Sequence, residues 1–452
     1  MVGTPCPKAE ERQFMRRIRR LFGLLAGLVL VAGALVVPPA MAAPLRPIVF
    51  VHGYSGSGSQ FETQAKRFAS NGYPAEYIES QEYDTTFEQN SAEDVYAALD
   101  ARIARLKAAT GADKVELVGH SLGTYMSQNY LKSSAARAAN VAHYVNLDGF
   151  PADAPPGGVP TLAIWGQSND TARIGGATNV YSPNEAHVET TSSVASFRAM
   201  YRFFTGDEPD TTNVVAEAGT IRLGGRALSF PSNVGLSGVQ LNIYTINPAT
   251  GARVGGAVAS YALSGDGSWG PFQGTGTAYY EFELVRPGGV PVHHLYFQPF
   301  RRTDLGIRLL STDPGTGIDE DVDRSSRSIA MLAYRNKEWW GDQGANSDTL
   351  VIGGTSVLNS RTASRDKGAI AFFAFDAYSD RISVPTRTLL RFALTPFITG
   401  VDLYKAAATP STGSVVVESA QRGGNGAVSR LAVPNWPSSG HTITVNFDDY
   451  VS

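Results

Sequence analysis

The 452-residue chain carries 38 basic and 41 acidic side chains, a formal net charge of −3, and 43% hydrophobic residues. Apolar content of that size supports packed cores in two or three domains and excludes a disordered chain. The even charge balance leaves no basic face for nucleic acid, so the expected partners are small or apolar molecules.

In chain order, Arg16, Arg17, Arg19 and Arg20 precede an apolar run from Leu21 to Val37, and Ala40-Met41-Ala42 follows. Basic region, hydrophobic region and small-residue site in that order predict a cleavable export signal over residues 1–42, with an uncleaved anchor helix as the alternative. The mature chain is then expected outside the cell. Arg19-Arg20-Leu21-Phe22 does not complete a twin-arginine pattern, which leaves the export route open. Cys6 is the only cysteine and precedes the run. Lost with the signal, it leaves a mature chain without a disulfide, a thiolate metal site or a cysteine nucleophile.

From Leu45 to about Phe204, short apolar runs alternate with helix-like segments, the pattern of a parallel sheet with crossover helices. Strands are expected at Pro47–Val51, Val115–Val118, Val141–Leu147, Thr161–Trp165 and around Asn179–Tyr181. A capping box at Ser91 and Asp94 predicts a helix to about Ala109, and apolar residues at helical spacing predict another over Val194–Phe204. Residues 43–206 thus form one α/β domain. The turn-rich 207–216 reads as a linker. Beyond it, Gln240–Ile246, Ala278–Leu284, Ala369–Tyr378 and His441–Phe447 alternate as strands between glycine-rich turns, so 217–452 is expected to be an all-β sandwich or barrel. A division of that region near Asp313 to Asp323 stays open. Asp319, Asp321 and Asp323 alternate like the start of a calcium loop, but Arg324 stands where glycine is needed and no glutamate follows at the last ligand position. A solvated acidic turn is expected there.

Gly119-His120-Ser121-Leu122-Gly123 joins a strand directly to a helical segment from Thr124 to Lys132, which is the setting of a nucleophile elbow. Ser121 is the candidate nucleophile, and a serine hydroxyl needs a base to take its proton. Of seven histidines, His52 and His120 lie inside motifs ahead of the serine, His143 is in a strand, and His293, His294 and His441 belong to the β region. His187 remains as the base. Asp148 and Asp170 each end a strand after the nucleophile, and either could orient the imidazole; chain order alone favours Asp170. The oxyanion donors are expected to be the N–H groups of Leu122 and, in the loop after the first strand, Tyr54, with Ser55 to Ser59 leaving room for an acyl chain. This chemistry requires neither metal nor cofactor.

These stretches resemble a known family. Phe50-Val51-His52-Gly53 with Gln60-Phe61-Glu62, Asn71 to Tyr77, Ala112 to Val115, Val118 to Thr124, Val141-Ala142-His143 with Leu147-Asp148-Gly149, and Ala177 to Tyr181 leading to His187-Val188 are similar to the α/β-hydrolase lipases. Within them the likeness is to an archaeal-type lipase whose C-terminal β domain is implicated in lipid binding. Pro396 to Leu403 and the segments Val433–Trp436 and Asp448–Val451 carry it into the β region. The resemblance implies a two-part architecture, hydrolysis of lipid or other carboxylic esters, contact with a lipid surface through the β domain, and a triad of Ser121, Asp148 and His187. The chain departs from that family in one respect, because Tyr83 to Ala112 is too short for a helical lid insertion. A thioesterase, an amidase or a polyester depolymerase would use the same triad. A non-catalytic extracellular protein that binds lipid or cell wall is the alternative outside enzymes.

Overall fold

The computed structural model describes residues 45–450 except 314, 318, 319, 321 and 323. The expected export signal with Cys6, and the acidic positions Asp319, Asp321 and Asp323, lie outside the described residues. Among the described residues, no helix is long and apolar enough to cross a membrane.

Six strands build an all-parallel sheet: β1 (Ile48–Val51), β2 (Ile78–Gln81), β3 (Val115–His120), β4 (Val141–Leu147), β5 (Thr161–Trp165) and β6 (Thr178–Tyr181), in the order β2-β1-β3-β4-β5-β6. β1 is buried along its whole length because successive side chains enter two different cores. Val49 and Val51 join Leu117, Leu99, Ile103 and Met126 on one face, whereas Ile48 and Phe50 join Phe68, Val145, Ile164 and Phe197 on the other.

The helices covering those faces are α1 (Glu62–Ser70), α2 (Ala92–Thr110), α3 (Leu122–Ser133), α4 (Ala135–Ala139) and α5 (Val194–Thr205). In α2 the Ser91 hydroxyl accepts from the Asp94 N–H while the Asp94 carboxylate accepts from the Ser91 N–H, and Gly111 closes the helix at φ 72°. Val95, Leu99, Ile103 and Leu106 line its buried face, and each stabilises the packing by about 1.5–3 kcal/mol.

Among the described residues, the β region holds three sheets. The largest has eight strands in the spatial order Ala259–Ala262, Gln240–Ile246, Tyr279–Val285, Val292–Phe297, His441–Asn446, Ala330–Tyr334, Ala371–Phe375 and Ile398–Asp402. Its pairing is mixed, since His441–Asn446 lies parallel to both of its neighbours. Two smaller sheets centre on Thr220–Ser229 and on Ser414–Ala420. Against the hydrolase part, this region buries polar as well as apolar groups. Arg308 donates to Glu82 at 2.6 Å, Lys66 of α1 pairs with Asp304 at 3.1 Å, and Thr63 donates to Asp449.

Candidate active site

β3 ends in the buried His120, and the next residue, Ser121, adopts φ 51° and ψ −121° before α3 begins at Leu122. That backbone is strained for a serine, and the surrounding contacts hold it. The Ser121 N–H donates to Leu147 C=O at 3.1 Å, and its own C=O accepts from the Thr124 N–H and hydroxyl at 2.9 and 2.7 Å. The glycines are required by contact: a Cβ on Gly123 would stand 2.1 Å from Val51 O, and one on Gly53 would stand 2.8 Å from Ser121 Cβ.

His187 lies in the loop between β6 and α5, its ring centre 4.7 Å from that of His120. His120 Nε2–H donates to the His187 carbonyl at 3.1 Å, which anchors the loop beside the elbow. Burial and the neighbouring His187 push the His120 pKa down to about 3, so this ring is neutral.

Asp148 ends β4 and is buried. His187 Nδ1–H donates to its Oδ2 at 2.7 Å, while Oδ1 accepts from the Gly166 N–H at 2.7 Å and from Asn169 Nδ2 at 2.8 Å. Burial works against the Asp148 charge, yet these donors, His187 first among them, hold its carboxyl below the usual range. Burial likewise disfavours a cationic His187, but the Asp148 hydrogen bond and charge, with Glu338 adding to them, raise its pKa above 6.5.

Of the two acids left open by chain order, the structure brings Asp148 to the histidine. Asp170 is exposed on the loop after β5, and its neighbour Asn169 contacts Asp148 instead. Asn169, His120 and Glu338 were not legible as site residues. A polar loop residue, a histidine within a motif and a glutamate in the β region reveal their contacts only in the fold.

Leu122 opens α3, so its N–H precedes the first intrahelical hydrogen bond. Tyr54 follows Gly53 and lines a cavity of about 360 Å³ between the hydrolase part and the β region. Leu295, Phe297, Phe300, Leu332 and Phe373 form its apolar wall, and Ser55, Ser57 and Ser59 stand at the hydrolase side. Phe397 also lines it and stacks on the His187 ring at 6.4 Å. Through Phe397 the cavity therefore approaches the His187 ring.

Glu281, Glu283 and His294 converge in the β region in the manner of metal ligands. Arg253 already occupies that corner, donating to Glu281 at 2.8 and 2.7 Å and to Glu283 at 2.6 Å, so the carboxylates have their counter-charge.

The family model for class 2 lipases matches residues 45–147, and that for the lipase C-terminal domain matches residues 219–314. A third, described only as a C-terminal domain, matches residues 317–451. No curated protein matches the chain. Among solved structures, a Bacillus licheniformis lipase in propeptide form is 14% identical with a TM-score of 0.31, over 87% of this chain and 93% of its own. The product of a Listeria innocua gene is 15% identical with a TM-score of 0.29, over 37% and 97%. Aspergillus fumigatus lipase B is 11% identical with a TM-score of 0.30, over 38% and 57%. Likeness at these scores carries no argument about chemistry.

Proposed function

We propose, for a chain that belongs to a lipase family with a C-terminal domain, the activity of a serine hydrolase cleaving carboxylic esters of lipids. Ser121 attacks the ester carbonyl as His187 takes its proton, and Asp148 holds the imidazole and stabilises its cation. The Leu122 and Tyr54 N–H groups receive the oxyanion. His187 then returns the proton to the leaving alcohol and activates the water that frees the acyl group. The observation that carries this reading is the strained Ser121 at the strand-to-helix turn, directly after a His120 whose ring bonds the carbonyl of a His187 that is itself bonded to Asp148 at 2.7 Å.

The apolar cavity beside Tyr54 and Phe397 supports a lipid acyl chain as the substrate part, since each methylene moved from water into it gains about 0.8 kcal/mol. Tyr378, Ile382 and Leu390, the last 82% exposed, support contact of the β region with a lipid surface. The order of residues 16–42 supports export. The same reading keeps 43–206 as the catalytic part, 207–216 as the linker and 217–452 as the β part. The matched stretches 219–314 and 317–451 favour a division near 313–323, although the eight-stranded sheet and the cluster that joins Ile246 and Tyr296 to Ile329 and Phe447 run across it.

The test is hydrolysis of p-nitrophenyl esters from acetate to palmitate by the mature chain and by Ser121→Ala. Activity that rises with chain length and vanishes in the variant is expected. Undiminished turnover by Ser121→Ala would overturn the assignment, and turnover confined to short esters would remove the lipid substrate.

A further inference from the structure

The turn after the strand Ala330–Tyr334 reaches from the β region to two loops of the site. Asn336 Nδ2 donates to Ser59 C=O at 3.1 Å, and Tyr334 OH lies 3.3 Å from Ser59 Oγ, on the loop that begins at Tyr54. Two residues on, the buried Glu338 accepts from the Val188 N–H at 2.5 Å with one carboxylate oxygen and from the Glu189 N–H at 2.9 Å with the other.

We infer that Glu338 is the residue through which the β region positions His187 for catalysis, a proposal that rests on His187 being the base. Asp148 fixes the ring and His120 fixes the carbonyl, so Glu338 restrains the two amides that follow. Two hydrogen bonds to one rigid carboxylate set both the place and the tilt of a peptide segment, which neither could do alone. Glu338 is itself held, because its backbone carbonyl accepts from Arg335 Nη2 at 2.9 Å and from Arg422 Nη1. Arg422 also pairs with Asp348 at 2.7 Å and with Glu189, and Lys337 reaches Glu189 at 3.1 Å. Glu338 thus faces His187 and the Glu189 carboxylate within a frame set by Arg335, Lys337 and Arg422. Burial raises the Glu338 carboxyl, with the Val188 N–H opposing and the Glu189 charge adding to it, and its ionised form favours the imidazolium together with Asp148, beside a neutral His120.

The experiment compares the full mature chain with Glu338→Gln and Glu338→Asp, using p-nitrophenyl acetate and a fluorophosphonate probe of Ser121. Gln keeps the shape, but its NH₂ group meets a peptide N–H, so one of the two bonds and the charge are lost. A base displaced by about 1 Å costs on the order of 10²-fold, so kcat and the labelling rate are expected to fall together by that factor while KM holds. The acidic limb of the kcat/KM profile is expected at lower pH in Glu338→Gln and unmoved in Glu338→Asp, which a merely structural role would not produce. Wild-type kcat in folded Glu338→Gln overturns the proposal. Should Glu338→Gln not fold, Glu338→Asp decides it by the same kcat-against-KM split. A wild type that the probe does not label sinks the serine hydrolase reading itself, whereas equal labelling of wild type and Glu338→Gln sinks only the role of Glu338.

Discussion

Asn in place of Asp148 keeps the acceptor for Gly166 but no longer offers a charge to the imidazolium. Steady-state kinetics of Asp148→Asn are expected to show kcat reduced by about 10⁴-fold, as for loss of an orienting carboxylate in a well-studied triad. Asp170→Asn, on an exposed loop, is expected to leave kcat unchanged, and equal effects in the two variants would sink the assignment. The base must be neutral to accept a proton, and its pKa stands above 6.5. Wild-type kcat/KM is therefore expected to fall with decreasing pH through a limb centred above that value, and a limb below it would contradict the Asp148 contact. The strand-to-helix turn at Ser121 was legible because it is written in adjacent residues, a strand, two glycines and a helix. The choice between Asp148 and Asp170 was not legible from chain order, because it depends on how the loop after β5 folds back, and there Asn169 turns toward Asp148.

At the level of elements, the buried strands and the capped helix α2 could be read from periodicity because each follows a local rule. Two elements could not. β2 is Ile-Glu-Ser-Gln, an edge strand paired only with β1, so no apolar run marks it. In α1, Thr63, Gln64, Lys66 and Arg67 are buried, a pattern that looks solvent-facing until the β region supplies Asp304 and Asp449 as partners. That docking has a titration signature. Burial pushes the Asp449 carboxyl up to about 7 from 3.8, with the Asp448 charge adding to it and the Asn336 N–H opposing. The folded state then keeps a proton that the unfolded chain releases, so stability declines as pH rises from 3.8 to about 7. Calorimetric Tm of Asp449→Asn is expected to fall less than that of the wild type across this window. Parallel Tm curves would show that the carboxyl is ionised throughout.

Across the whole molecule, the described residues between 45 and 450 pack as one unit, and the cavity exists only because the β region closes over α1 and the Tyr54 loop. The sequence showed that a β region follows the hydrolase part, but not that its side chains reach into the site. Those contacts join residues 150 apart and more and leave no local pattern. Leu332→Trp adds bulk to the cavity wall, and loss of room for about two methylenes at ~0.8 kcal/mol each corresponds to roughly a tenfold lower rate on the palmitate ester. The acetate ester is expected to be unaffected, and an equal loss on both would place the acyl chain elsewhere. The Glu338 contact also has a consequence in time. Ser121, Asp148 and His187 leave the ribosome well before Glu338, which follows Val188 by 150 residues, or roughly 10–30 s of synthesis. Through that interval the two amides after His187 lack their acceptor, so on the proposal above the growing chain is expected to turn over esters about 10²-fold more slowly than the finished one.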